Sequence, residues 1–173
     1  MENFAVILLI TGILVGAGTG LVAPDVMCCA RAAAAGSDDS RCPPTAPEPL
    51  GPFYKANAPV RTNVGQGYLL RGTVRSAADC RPIAGAQIEF WLAGPNGQYD
   101  DDHRATVFSD NSGSYQFESN FPPKYSFRPP HIHLRVSAAG FQTLVTQHYP
   151  VKGHTQGNFD LVLVPVGEGR DVK

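Results

Sequence analysis

The chain has 173 residues, 43% of them hydrophobic and 17% charged, a composition that fits one globular domain and excludes a disordered chain. Its formal net charge is −1, and no long Lys/Arg cluster is present, which speaks against nucleic acid or an anionic membrane surface as partner. The 18 Gly and 15 Pro, scattered between short apolar runs, favour an all-β domain with frequent turns over a helical one.

From Ala5 to Ala23 no residue is charged, and Val6-Ile7-Leu8-Leu9-Ile10 opens an apolar run. Residues 1–23 are therefore expected to be a secretory signal, cut after Ala23 or within Ala33-Ala34-Ala35, so that the mature protein is secreted. The rival reading is an uncleaved membrane anchor, since the run is nearly long enough to span; Gly12, Gly16, Gly18 and Gly20 argue against it. Membrane association is expected only if this segment stays in place. The four cysteines, Cys28, Cys29, Cys42 and Cys80, contain no CxxC pair, so the spacing of a structural zinc site is missing. Four cysteines permit three pairings and the sequence does not choose among them. A Cys42–Cys80 bond, tying an N-terminal arm to the domain, is the preferred one.

Residues 24–50 read as that arm: an alanine tract and then Pro43-Pro44-Thr45-Ala46-Pro47-Glu48-Pro49, a stretch that stays extended and builds no core. Residues 51–165 are expected to form a single β-sandwich, with 166–173 as a tail. At least six strands are predicted: Tyr68–Val74, Ala86–Leu92, Ser114–Phe117, His131–Val136, Thr143–Tyr149 and Phe159–Val164. Asp110-Asn111-Ser112-Gly113 reads as a turn, and turn signals recur every ten or so residues, as in a sandwich or barrel. Ile88, Phe90 and Leu92 share one face, and Phe90, Trp91, Tyr115 and Phe117 are expected in the core. His103, His148 and His154 read as surface or loop residues, and Asp100-Asp101-Asp102 as a solvated turn.

The chemistry concentrates in Tyr125-Ser126-Phe127-Arg128-Pro129-Pro130-His131-Ile132-His133-Leu134-Arg135-Val136. Alternate strand residues share a face, so Ile132, Leu134 and Val136 face the core and the two histidines face away from it. They then lie about 7 Å apart at Cα, close enough for both rings to reach one ion. A bare His-x-His is also compatible with two surface histidines. Arg128-Pro129-Pro130 excludes a helix before the pair and imposes an extended approach.

Trp91, Gly97-Gln98-Tyr99, Tyr125, the Arg128–His133 run and Thr146-Gln147-His148-Tyr149 together resemble the intradiol ring-cleavage dioxygenases, the family of catechol 1,2- and protocatechuate 3,4-dioxygenases. Gly51-Pro52-Phe53-Tyr54 resembles that family's segment beside the active site. The resemblance spans residues 51–165 and implies a mononuclear non-haem Fe(III) held by Tyr99, Tyr125, His131 and His133. Two anionic phenolates with two imidazoles suit such a hard cation better than Zn(II) or Fe(II). It further implies that Tyr125 leaves the metal when a catechol binds, that Arg128 stabilises negative charge on the ring, and that Gln147 supports Arg128 or polarises the site. Pro52, Tyr54 and Arg128 are the implied substrate contacts. The expected reaction is cleavage of a catechol by O2 between its hydroxyls to a cis,cis-muconate. Larger members place more residues between the second tyrosine and the first histidine and carry a helical N-terminal portion. The likeness is to a short, secreted branch, with oligomeric state open and a monomer compatible. The alternative is a metal-free binding module: Gly72-Thr73-Val74, Pro82–Ala86 and Asp110–Phe117 also resemble transthyretin-like and carboxypeptidase-regulatory-like sandwiches.

Overall fold

The computed structural model describes residues 42–167; the predicted signal or anchor, Cys28, Cys29, the alanine tract and residues 168–173 of the tail lie outside them. Among the described residues eight strands form in chain order: β1 (Tyr68–Ser76), β2 (Gln87–Leu92), β3 (Arg104–Phe108), β4 (Ser114–Ser119), β5 (Ile132–Ser137), β6 (Leu144–His148), β7 (Gln156–Asn158) and β8 (Leu161–Leu163). They make two four-stranded sheets. In the first, β1 is central, antiparallel to β4 on one side and parallel to β7 and then β8 on the other. The second is antiparallel throughout, in the order β3-β2-β5-β6. This is the all-β sandwich expected from the sequence.

Period-two alternation explains the core. Leu70 and Val74 of β1, Tyr115 and Phe117 of β4, and Leu161 and Leu163 of β8 meet Ile88, Phe90, Leu92, Ile132, Leu134 and Val136 of the second sheet. Phe90 and Phe117 stack across the interior with centroids 4.1 Å apart, a packing that adds to the simple burial of their area. The predicted Asp110–Gly113 turn forms, its Asp110 carboxylate accepting from the backbone N–H of Ser112 and Ser114. Gly113 sits there at φ 74°, and a Cβ on it would lie 2.7 Å from the Val74 carbonyl oxygen, so only glycine closes the hairpin without displacement.

Strands β3 and β7 add to the six or more expected from the sequence. Two expectations need correction. Trp91 is buried but outside the inter-sheet core; Ile88, Phe90 and Leu92 point inward, and alternation turns Trp91 to the outer face of the second sheet. His148 is not a surface residue: it is half-buried on β6 and hydrogen-bonds Tyr68 Oη at 2.7 Å.

The described part of the arm, residues 42–50, is pinned to the sandwich. Cys42 is bonded to Cys80, the pairing preferred from sequence. Thr45 N donates to Val162 O, Glu48 N to Val145 O and Thr146 Oγ1 to Ala46 O. Residues 42–49 thus run from β8 to β6 and lead the chain onto the outer face of the second sheet.

Candidate active site

That outer face carries the candidate site. His133 on β5 lies opposite Trp91 on β2 and opposite Gln147 on β6. Both His131 and His133 are buried, at 3% and 2% exposure, so they are not two surface histidines on a polar face. The flanking Pro129 and Pro130 keep the approach to β5 extended.

Two loops bring the tyrosines. Between β2 and β3 the chain closes a tight loop, with Gly94 N donating to Gln98 O and Gly97 at φ 77°; Tyr99 follows it directly. Between β4 and β5 a turn spans 125–128, closed by Arg128 N to Tyr125 O at 2.9 Å with Ser126 at φ 54°. The result gathers four rings. Tyr99 and Tyr125 are 5.3 Å apart, Tyr99 and His133 6.0 Å, and His131 and His133 4.8 Å between centroids. The Tyr99 hydroxyl lies 3.0 Å from His131 Nε2.

Burial and hydrogen bonds set the protonation of His131, His133 and Tyr99. His131 Nδ1 faces the Pro129 carbonyl at 2.7 Å; since a carbonyl only accepts, Nδ1 carries the proton and Nε2 accepts from the Tyr99 hydroxyl. His133 Nδ1 is buried and has no hydrogen-bond partner among the described residues. Burial pushes His133 down to about 3, helped by neighbouring His131 and Arg128, and burial also lowers His131, so both rings are neutral. Burial pushes the Tyr99 phenol up to about 12, an effect Arg128 opposes. Among the described residues no group of three His, Cys, Asp or Glu gathers to hold a metal.

Arg128 donates through Nη2 to Tyr149 Oη at 3.0 Å, and the Tyr149 hydroxyl donates to Glu48 Oε2 at 2.6 Å. Gln147 is buried and donates to Pro49 O at 3.3 Å, with its Oε1 3.5 Å from Tyr149 Oη. Gln147 and Arg128 are therefore linked through Tyr149 rather than directly. Pro52 is exposed on a turn, while Tyr54 turns its hydroxyl to Glu89. The sequence placed the segment of Phe53 beside the site and put Trp91 and Tyr149 in the motif, but gave none of the three a contact, and it missed Glu48 and Glu89. Phe53 stacks on Tyr99 at 4.3 Å and meets Tyr125 edge-on at 5.3 Å. Trp91 stacks on His133, and Glu48, Glu89 and Tyr149 complete the surroundings.

Known proteins share both the sequence and this sandwich. A catechol 1,2-dioxygenase of Candida albicans is 33% identical, over 58% of this chain and 45% of that one. A chlorocatechol 1,2-dioxygenase of Pseudomonas putida is 30% identical, over 61% and 53%. Among solved structures, the dioxygenase domain of a dioxygenase carbohydrate-binding protein fusion from Streptomyces sp. SirexAA-E superposes with a TM-score of 0.65 at 27% identity, covering 71% of this chain and 99% of that one. No protein-family model matches the chain. In fold and in sequence the chain is similar to ring-cleavage dioxygenases. The curated relatives and the solved structures it resembles are intradiol-type ring-cleavage dioxygenases, and the chain spans about half the length of the curated relatives it matches.

Proposed function

We propose that this chain cleaves a catechol between its two hydroxyls, using O2 at a ferric ion held by Tyr99, Tyr125, His131 and His133. The observation that carries this reading is the convergence of two phenols and two neutral imidazoles on one face of a sandwich whose sequence relatives are catechol-type dioxygenases. The donor set fits: two phenolates and two imidazoles suit a hard trivalent cation. Once bound, such an ion would supply Lewis-acid activation of the catechol and a path for electrons from its ring to O2.

The residues of the chain do the remainder. His131 is held in one tautomer by Pro129, and His133 is held flat by Trp91, which fixes two donors before any ligand arrives. Tyr99 is braced by Phe53. Tyr125 sits on a turn whose tip, Phe127, is 94% exposed, so as the phenolate of the proposed donor set it could swing out and take up a proton from the entering catechol, becoming the neutral phenol. Arg128, tethered by Tyr149, places a fixed planar charge beside the site, where negative charge builds on the ring. Pro52 and Tyr54 belong to the segment that borders the substrate. Catechol and O2 are consumed one for one, the ring carbon–carbon bond between the hydroxyls breaks, and both oxygen atoms enter a cis,cis-muconate.

The test is O2 uptake by the purified, iron-loaded protein across a panel of catechols, protocatechuate, hydroxyquinol and caffeate included, with product absorbance followed in parallel. Tyrosinate-to-iron charge transfer should colour the protein. A preparation that stays colourless after reconstitution with ferric iron and consumes no O2 overturns the reading. We further propose that the mature protein works outside the cytoplasm, a reading supported by the uncharged segment 5–23 and by the Cys42–Cys80 bond. Mass spectrometry should find the mature chain beginning after Ala23 or in the alanine tract; an intact Met1 in a soluble cytoplasmic protein overturns it.

A further inference from the structure

Two cross-strand pairs stand side by side on the outer face of the second sheet: Trp91 opposite His133, and Glu89 opposite Arg135. Glu89 faces away from the core yet is only 3% exposed. Its carboxylate accepts from Arg135 Nη1 at 2.7 Å and from Tyr54 Oη at 3.1 Å. The Tyr54 ring meets Trp91 edge-on at 5.2 Å, and the Arg135 guanidinium lies 5.9 Å from the centre of the same ring. Glu89 is buried and Arg135 half-buried, and an ion pair drawn this far out of water adds little net stability. What it fixes is geometry.

The geometry it fixes reaches the candidate site. Tyr54 follows Phe53, which stacks on Tyr99, and lies three residues after Gly51, whose backbone packs on His133. A Cβ at Gly51 would stand 3.2 Å from His133 Cε1, at φ 76°. Segment 51–53 therefore lies directly against two of the four converging residues, and Tyr54 is the point at which it is fastened.

We propose that Glu89 is a positioning residue: with Arg135 it holds the Tyr54 hydroxyl, and through Tyr54 it holds Gly51–Phe53 against His133 and Tyr99. The proposal rests on the reading of His133 and Tyr99 as active-site residues. It names a role for a charged pair that never touches substrate.

Trp91 is the single tryptophan of the chain and is 2% exposed, so its fluorescence reports this corner alone. The full chain is prepared metal-free as wild type, Tyr54→Phe, Glu89→Gln and, as a control from the exposed Arg81–Asp79 pair, Arg81→Gln. Acrylamide quenching of Trp91 should rise by about twofold or more in the first two variants as the local cover opens, and stay at the wild-type value in the control. After iron loading, KM for catechol should rise about tenfold in Tyr54→Phe, the loss expected for one hydrogen bond to a charged group, while the visible band keeps its position because no ligand is removed. If Glu89→Gln does not fold, Tyr54→Phe decides, since it loses one oxygen atom only. A folded Tyr54→Phe with wild-type quenching and wild-type KM overturns the proposal. If the wild type proves inactive, the functional reading fails, and the quenching comparison still decides whether the clamp exists.

Discussion

The rings of Trp91 and His133 lie parallel, with centroids 4.9 Å apart and an interplanar angle of 7°. The contact joins the only tryptophan to one of the four residues assigned to the metal. A paramagnetic ferric ion on His133 would stand within a few ångströms of the indole and quench it. Titrating ferric iron into metal-free protein should therefore lower Trp91 emission with saturation near one equivalent. In His133→Ala the saturable part should vanish. Unaltered emission in a protein that demonstrably takes up iron places the metal elsewhere.

Tyr99 and His133 are each one donor of four in the assignment. Tyr99→Phe and His133→Ala should each lower iron content, and both should weaken the visible band, because each removes a group that contacts the ion. Metal analysis of the purified variants checks this. Full iron and full activity in both would remove these two residues from the ligand set.

How much of this was legible in the sequence depends on range. The His-x-His strand could be read because alternation is local: Ile132, Leu134 and Val136 are apolar and the residues between them are not. Strand β3, Arg104-Ala105-Thr106-Val107-Phe108, escaped because its outward residues are covered by the segment after the arm: Thr106 Oγ1 donates to Ala58 O and Arg61 N to Thr106 O. Strand β7, Gln156-Gly157-Asn158, has no apolar residue and exists only through parallel pairing with β1. Trp91 was misplaced because a large aromatic in an apolar run reads as core, whereas its place in the alternation turns it to the site. The support around Arg128 was invisible for another reason. Glu48 and Tyr149 are 101 residues apart in sequence, and nothing local in either segment announces the other.

Arg128 tests mechanism rather than metal. Its guanidinium reaches Tyr149, and its charge is felt at Tyr99 and at both histidines, yet it is not a ligand. Arg128→Ala should keep its colour and still shift the visible band when catechol is added. Its turnover should fall by about 10²-fold, the cost typical of losing a preorganised charge where negative charge develops, with Arg128→Lys intermediate because it keeps charge but loses the planar fork. Near-wild-type turnover in the alanine variant makes Arg128 structural.

The Cys42–Cys80 bond closes a span of 38 residues and fastens the arm that carries Glu48 to the site. In the chain-entropy description a loop of this length contributes about 4 kcal/mol, with about 2–4 typical of measured cases. Cys42→Ser with Cys80→Ser should lower the unfolding free energy by an amount in that range. Chemical denaturation of wild type and double variant measures it, and equal midpoints would show the bond to be energetically idle.

His148 gives the fold a pH dependence of its own. Burial pushes its pKa down to about 4, against about 6.5 in an unfolded chain. The ring stacks near Tyr68 and Phe159 and hydrogen-bonds the Tyr68 hydroxyl. Above pH 6.5 the imidazole is neutral in both states and exerts no pH effect. As pH falls below 6.5 the unfolded chain takes up the proton and the folded protein does not, so stability declines until about pH 4, where the folded form is protonated as well. The site is partly open to solvent, so the loss over this window should be about 1–2 kcal/mol rather than the full value of the shift. His148→Phe removes the titrating group while keeping an aromatic ring against Tyr68. Urea unfolding of wild type and variant at pH 7.0, 6.0, 5.0 and 4.5 should show the stability difference shifting toward the variant as pH falls. A difference that stays constant across these four values would show that His148 is protonated as easily in the folded protein as in the unfolded one.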